Sequence, residues 1–368
     1  MAQVHLIGVR GMPNRYGGFE RLVEVLAPHL ASQGHEVSVY CEGGASPPPD
    51  DIWQGARRRF VRVDAQGARA TLQYDRRSFD QVPPGAVALI FGYGSAIYQW
   101  RLRRLGIRHA VNMDGLEWQR QKWGPAARLW LRLNERIAAQ LADELVADHP
   151  SIQADLQRRL GVRSTMIAYG VDLPSAQADA PPPALPAGLS DQGYLLVIAR
   201  PEPENQIHVL LDAYTRSGAA WPLVVVGQFD ANAYGRRLRE QHPEVRFIGP
   251  LYDPQALDRL RRHCLLYLHG HSVGGTNPSL IEAMAAGAPV VAHDNPFNRW
   301  VLGDAGGWYF SQASDLSALL RDPPDTVQRQ HAVAAAAQAC RERFLWPTIL
   351  TAYDRLVERL AATTAADR

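Results

Sequence analysis

At 368 residues, with 46% hydrophobic and 21% charged side chains, the chain has the composition of a soluble globular protein and the length of two domains. A formal net charge of +2 gives no general case for a nucleic-acid partner. Cys41, Cys264 and Cys340 lie far apart, with neither metal-ligand spacing nor the density of a disulfide scaffold, so buried thiols in a reducing compartment are expected.

The N-terminus lacks a basic segment followed by a long apolar core, and no apolar run approaches about 18 residues, so a cytoplasmic location without a membrane span is expected. Residues 4–9 read as a buried strand, followed by the loop RGMPNRYGG and a helix over 19–33 that Gly34 ends. This opening predicts a doubly wound α/β domain, with Gly11, Gly17 and Gly18 near the strand's carboxyl end, where ligands of open sheets bind. Gly8, Gly11 and Gly17 do not spell G-x-G-x-x-G, which weakens a dinucleotide site, although Glu42 at the end of strand 36–41 keeps a nicotinamide oxidoreductase as an alternative. Residues 43–51 form a turn-rich loop, and 60–63 and 87–91 are further strands. Strand 109–113 delivers Asp114 and Glu117 to a loop ending in Trp118; they are catalytic candidates in a cleft, with an N-cap aspartate as the ordinary alternative.

The helix predicted over 125–141 carries Arg128, Arg132 and Arg136 four residues apart, while Leu129, Leu133 and Ile137 line another face. With Trp118, Trp123 and Trp130 nearby, this basic stripe suits anionic headgroups or a pyrophosphate-bearing acceptor; a solvated face over a packed core is the alternative. Lys122 is the single lysine among 39 basic residues. After strands at 145–148 and 166–169, the Pro/Ala-rich segment 173–192 reads as a linker between domains over 1–172 and 193–345.

The second domain restarts with strands at 194–199, 223–226, 245–248, 265–268 and 290–292. Arg200 directly follows the first of them. Gly270, Gly274 and Gly275 open the turn after strand 265–268, Thr276 completes it, and Asn277 and Pro278 start a helix with both an N-cap and a first-turn proline. The expected consequence is an anion site, with the amides of Ser279 and Leu280 free at the positive end of the helix dipole. Glu282, one turn on, suits sugar hydroxyls, so a phosphorylated sugar fits the pair. A capped helix with a surface glutamate is the alternative. An amphipathic helix over 348–360 ends the chain.

SLIEAMAAGAPVVA resembles the donor-site signature of the retaining GT-B glycosyltransferases of family 4. HGHSVGGTNPSLIEAM, with GMPNRYGGFE and NMDGLEWQRQKW upstream, is similar to a bacterial subgroup of rhamnosyltransferases in capsule and lipopolysaccharide assembly. The resemblance covers nearly the whole chain. It implies a GT-B fold of two Rossmann-like domains facing a cleft, with residues 346–368 crossing back to the first domain. It also implies a nucleotide-sugar donor and a glycan or polyprenyl-pyrophosphate-linked acceptor, with no separate cofactor. Gly17 and Gly18 would lie by the diphosphate or sugar, the helix opening at Ser279 by the diphosphate, and Glu282 on the ribose. Two positions depart from the pattern: Asn205 stands where a lysine would join Arg200 on the diphosphate, and Gly274 where a first glutamate would contact the sugar. The first glutamate's contact to the sugar is expected from the backbone of residues 274–277 or from His271, or is absent. No D-x-D motif is present, so Arg200 and the helix start are expected to hold the departing charge, and no metal is called for. A sugar-nucleotide-binding protein without turnover is a further alternative.

Overall fold

The computed structural model describes residues 1–14, 17–120, 123–174, 185–186 and 188–362. The chain divides into two compact units. The first comprises Met1–Gln119, Trp123–Tyr169 and the stretch from Pro347 onward; the second is Gly170–Trp346 with Arg120. Of the expected linker, residues 175–184 and 187 lie outside the described residues.

The first unit holds an eight-stranded sheet of β1 (Gln3–Ile7), β2 (Glu36–Glu42), β3 (Asp51–Trp53), β4 (Ala56–Val61), β5 (Val87–Phe91), β6 (Arg108–Asn112), β7 (Glu144–Ala147) and β8 (Thr165–Met166). Its order is β3-β4-β2-β1-β5-β6-β7-β8, and every pairing is parallel except β3 with β4. That hairpin begins at Asp51, where the expected turn-rich loop ends, and β4 starts ahead of the strand expected over 60–63; it closes over the Gln54-Gly55 turn, where both residues have positive φ. The central strands are apolar on both faces because helices cover both, which gives continuous runs such as VALIF in β5, buried throughout.

Order reverses between β1 and β5, the position where open α/β sheets form their ligand crevice. Gly8, the first residue past β1, has φ +99°, and a Cβ there would stand 2.3 Å from the Phe91 carbonyl oxygen of β5. Only glycine lets the two strand ends approach so closely. The C-terminal helix Trp346–Ala362 belongs to this unit through the His29–Asp354 pair at 2.8 Å, the Arg359–Glu144 pair at 2.7 Å, and the Asn112 amide donating to Tyr353 Oη at 3.2 Å.

The second unit has six parallel strands: β9 (Leu195–Ile198), β10 (Leu223–Val226), β11 (Arg246–Phe247), β12 (Leu266–His269), β13 (Val290–His293) and β14 (Gly307–Phe310). Their order, β11-β10-β9-β12-β13-β14, reverses between β9 and β12. Leu195, Val197, Leu210, Leu223, Val225, Leu266 and Phe310 form the heart of its core.

Candidate functional site

In the second unit the candidate residues gather where β9 and β12 end. Arg200 lies two residues past β9 with its side chain 63% exposed, 3.9 Å from the Glu202 carboxylate. The loop behind it is pinned by Asn205, a buried residue whose Nδ2 donates to the Arg200 carbonyl at 2.9 Å. One N–H of the Asn205 amide is therefore used on the backbone. Its observed work is to shape the Arg200 loop.

Beyond β12, Gly270 packs so closely that a Cβ would meet the Asn205 carbonyl oxygen at 2.4 Å, and Ser272 donates through N–H and Oγ to the Glu204 carbonyl at 3.0 and 2.9 Å. The His271 carbonyl is fixed by Nδ2 of both Asn295 and Asn298, each at 3.0 Å. His271 stacks on His269 with centroids 4.3 Å apart, and burial followed by the charge of Arg200 pulls its pKa down to about 3. It is therefore a neutral imidazole at physiological pH, able to exchange hydrogen bonds but not to add charge. His269, more deeply buried, is pushed well below the usual histidine range, and its ring nitrogens have no hydrogen-bond partner among the described residues.

The helix Pro278–Ala285 opens as its sequence demands, with Asn277 as N-cap and Pro278 in the first turn. The expected free amides are corrected here. Asn277 Oδ1 accepts from Ser279 N–H at 3.0 Å and from Ser279 Oγ at 2.9 Å, while the Asn277 carbonyl takes Leu280 N–H at 3.1 Å. The same N-cap that announces the helix consumes the donors it leaves exposed. The positive end of the dipole remains, and so do the preceding turn's Gly274, Gly275 and buried Thr276.

Glu282 also differs from expectation. Its carboxylate is bonded to Arg261, a guanidinium only 4% exposed that also contacts Asp258 at 3.0 Å. The pairing explains how a carboxylate is tolerated beside the helix start without a ligand.

In the first unit, Gly17 caps and Gly18 opens the helix Gly18–Ser32, and buried Glu20 accepts from Arg10 N–H at 2.9 Å. A cavity of about 340 Å³ lies beside them, lined by Arg10, Met12, Glu20, Glu42, Arg58 and Phe60 among others. Glu42 is occupied by Arg10 at 2.8 Å. Asp114 sits just past β6 with φ +52°, left-handed for a residue with a side chain, and its N–H is held by Asn112 Oδ1 at 3.1 Å. Such a conformation costs on the order of 1–3 kcal/mol and persists only where surroundings impose it. Glu117 N–H donates to Tyr93 Oη at 3.0 Å.

Trp118 is corrected from surface ring to packing partner. Arg132 lies 4.2 Å from its ring centroid, Arg159 5.2 Å, and its Nε1 bonds Glu135, which Arg159 pairs at 2.7 Å. Arg128 is partly buried and Arg136 exposed. Trp123 is partly buried. The leucines expected on a packed face point outward, Leu129 at 70% and Leu133 at 49% exposure.

Sequence reasoning missed Glu20, Glu204, Arg261, His269 and the pair Asn295/Asn298. Glu204 is 5% exposed with both carboxylate oxygens lacking a partner among the described residues. Its signal was weak, a second acid in PEPEN. The asparagines had a clearer one, an N-cap pattern in NPFN.

Two Rossmann-type units of this order are the GT-B fold, seen with TM-score 0.78 in sucrose-phosphate synthase from Thermosynechococcus elongatus, 18% identical, covering 99% of this chain and 100% of that one. The Anabaena protein HepE in complex with UDP aligns with TM-score 0.72 at 15% identity, covering 99% and 100%. Residues 16–174 match the model "Glycosyltransferase Family 4", and residues 187–322 match "Glycosyl transferases group 1". A phosphatidyl-myo-inositol mannosyltransferase of Mycolicibacterium smegmatis is 31% identical over 364 residues, 94% of this chain and 91% of that one. The Mycobacterium leprae protein of the same name is 32% identical over 175 residues, 44% of this chain and 45% of that one. The chain belongs to the family 4 glycosyltransferases and is a nucleotide-sugar-dependent glycosyltransferase of GT-B fold. The oxidoreductase alternative falls with that assignment.

Proposed function

We propose that the chain transfers a sugar, with retention, from a nucleotide diphosphate to a hydroxyl of a glycan or lipid-linked saccharide. Arg200 carries the reading: a solvent-accessible guanidinium at the strand-order reversal of the second sheet, its loop pinned from behind by Asn205. In the reaction the bond from the anomeric carbon to the leaving phosphate oxygen breaks on the face where the acceptor oxygen bonds. The acceptor proton passes to that phosphate oxygen. The protein's share is to position the partners and to stabilise the charge gathering on the diphosphate. Arg200 meets that charge, with the dipole end of Pro278–Ala285 and the 274–277 turn alongside. Neutral His271 takes a sugar hydroxyl in place of the glutamate that Gly274 replaces. Glu282 holds the ribose while its contact with Arg261 fixes the carboxylate's position. Gly17, Gly18, Asp114 and Glu117 serve the sugar and acceptor, and no metal bridges the phosphates.

The motifs favour rhamnose from dTDP-rhamnose, within surface polysaccharide synthesis at the cytoplasmic face of the inner membrane. The mannosyltransferase relatives favour a mannosyl donor and a lipid acceptor. Donor hydrolysis, measured across dTDP-rhamnose and mannosyl and glucosyl nucleotides with chelator present, tests the reading. Turnover of one donor is expected; binding without turnover of any, or turnover only with added divalent metal, overturns it.

A further inference from the structure

The helix Pro125–Leu141 buries two polar side chains and exposes three large apolar ones. Asn134, Glu135, Ala138 and Leu141 are buried, whereas Leu129, Trp130 and Leu133 are 70%, 36% and 49% exposed. The arrangement has a local cause. Asn134 Oδ1 accepts from Ile97 N–H at 3.0 Å and its Nδ2 donates to the Trp130 carbonyl, while Glu135 is paired with Arg159 and accepts from Trp118 Nε1. These bonds fix the helix rotation and leave the leucines without a core.

The same bonds set a second apolar segment beside them. Ile97 and Trp100, 39% and 61% exposed, belong to the turn and to the helix Gln99–Arg104 that packs against this one, and Trp130 Nε1 reaches the Gly94 carbonyl at 2.9 Å. Five large exposed apolar side chains thus belong to two helices and a turn that pack together, more than isolated exposure explains. Its margin is basic. Arg103, Arg104, Arg132 and Arg136 are exposed, Arg101 is paired with Asp80, and the only acid on the two helices is the buried Glu135. Among the described residues no helix is long and apolar enough to cross a membrane.

We propose that this face docks on the surface of an anionic bilayer, with Ile97, Trp100, Leu129, Trp130 and Leu133 entering the headgroup boundary and the arginines meeting lipid phosphates. Tryptophans suit a boundary that is apolar on one side and wet on the other, and a rim where exposed arginines outnumber Asp80, itself held by Arg101, favours anionic lipid over a mixed-charge protein surface. The proposal deepens the proposed function by naming where its acceptor is met.

Co-sedimentation with vesicles of phosphatidylcholine, with and without phosphatidylglycerol, tests it on the full chain. Binding is expected to the anionic vesicles, weakening as salt rises. The variant Trp100→Ser/Leu129→Ser/Leu133→Ser, which replaces exposed side chains only, is expected to lose about tenfold or more of it. Failure of the wild type to bind anionic vesicles at low salt, or unchanged binding by the variant, overturns the proposal. A dimer in sedimentation velocity that the variant dissolves would assign the face to a second copy and overturn it equally. Donor hydrolysis without vesicles, expected to be equal in the two proteins, separates this inference from the glycosyltransferase reading: its absence from both, with patch-dependent binding intact, would sink the reading and leave the docking face.

Discussion

At the end of β1 the chain gathers carboxylates, Glu20 and Glu42, each already engaged by Arg10, around a cavity with Met12 and Phe60. At the end of β9, the equivalent place in the second sheet, it exposes a guanidinium, Arg200, and buries histidines that stay neutral. Strand order is the same at both places, so topology chooses where a ligand sits and says nothing of what it is. The residues just past each strand decide that. The first unit's edge is charge-balanced and suits polyhydroxylated groups, whereas the second offers an exposed cation to an anion.

The comparison breaks most visibly at Arg200. Arg200→Ala is expected to lower single-turnover transfer by about 10²–10³, roughly 2.7–4 kcal/mol, as for loss of one preorganised donor. Arg10→Ala, in the charge-balanced edge, should not reproduce that loss. Equal losses in the two variants would erase the distinction between the edges.

Acid sharpens the comparison. His269 and His271 are held neutral in the second unit, His271 down to about 3, and in the first unit burial brings His5 to about 4. In the unfolded chain each takes a proton near pH 6.5. Below that pH the unfolded state binds more protons, so stability is complete above about 6.5 and is lost as pH falls toward 4. At pH 5 the loss is about 2 kcal/mol for each of His5 and His271. Urea unfolding at pH 7.5 and 5, with His269→Phe for comparison, checks the sign: the variant should show the shallower loss. An equal slope in both would mean that His269 does not titrate on unfolding.

Glu282 tests the pair that sequence did not reveal. Removing it leaves Arg261 buried with Asp258 alone. Breaking a fully buried pair costs about 3–5 kcal/mol, and because the Glu282 side chain is 36% exposed, about 1–3 kcal/mol is expected for Glu282→Ala. Calorimetry with free nucleotide diphosphate separates the two roles. Affinity that falls together with stability supports ribose contact, and stability loss with unchanged affinity leaves Glu282 as Arg261's partner only.

The parallel strands of both sheets and the β12–helix–β13 unit were legible, because buried parallel strands read as apolar runs and Asn277-Pro278 writes a helix start in two residues. What was illegible depends on rotation and pairing. Leu129 and Leu133 have core spacing, but Asn134 and Glu135 found partners inside and fixed the helix rotation. The Ser279 and Leu280 amides were counted as free because an N-cap signal does not say which donors it uses. Glu282 and Arg261 are 21 residues apart, and no local pattern joins them.

Asn205 carries the smallest expected effect and the finest test of the second edge. Its amide donates to the Arg200 carbonyl, so it is a positioning residue that acts through Arg200. Asn205→Ala removes one neutral hydrogen bond, about 0.5–1.5 kcal/mol, and should lower kcat more than it raises KM, since the misplaced guanidinium is felt most when charge develops. The side chain is buried, and a lysine there would either desolvate its ammonium or push outward and abandon the carbonyl. Restoring the lysine implied by family resemblance is therefore expected to lose activity: Asn205→Lys should be no faster than Asn205→Ala, although it adds a cation. Single-turnover rates on the three proteins decide. If the lysine variant outpaced the wild type, the missing cation, and not the pinned loop, would be what this position contributes to the site.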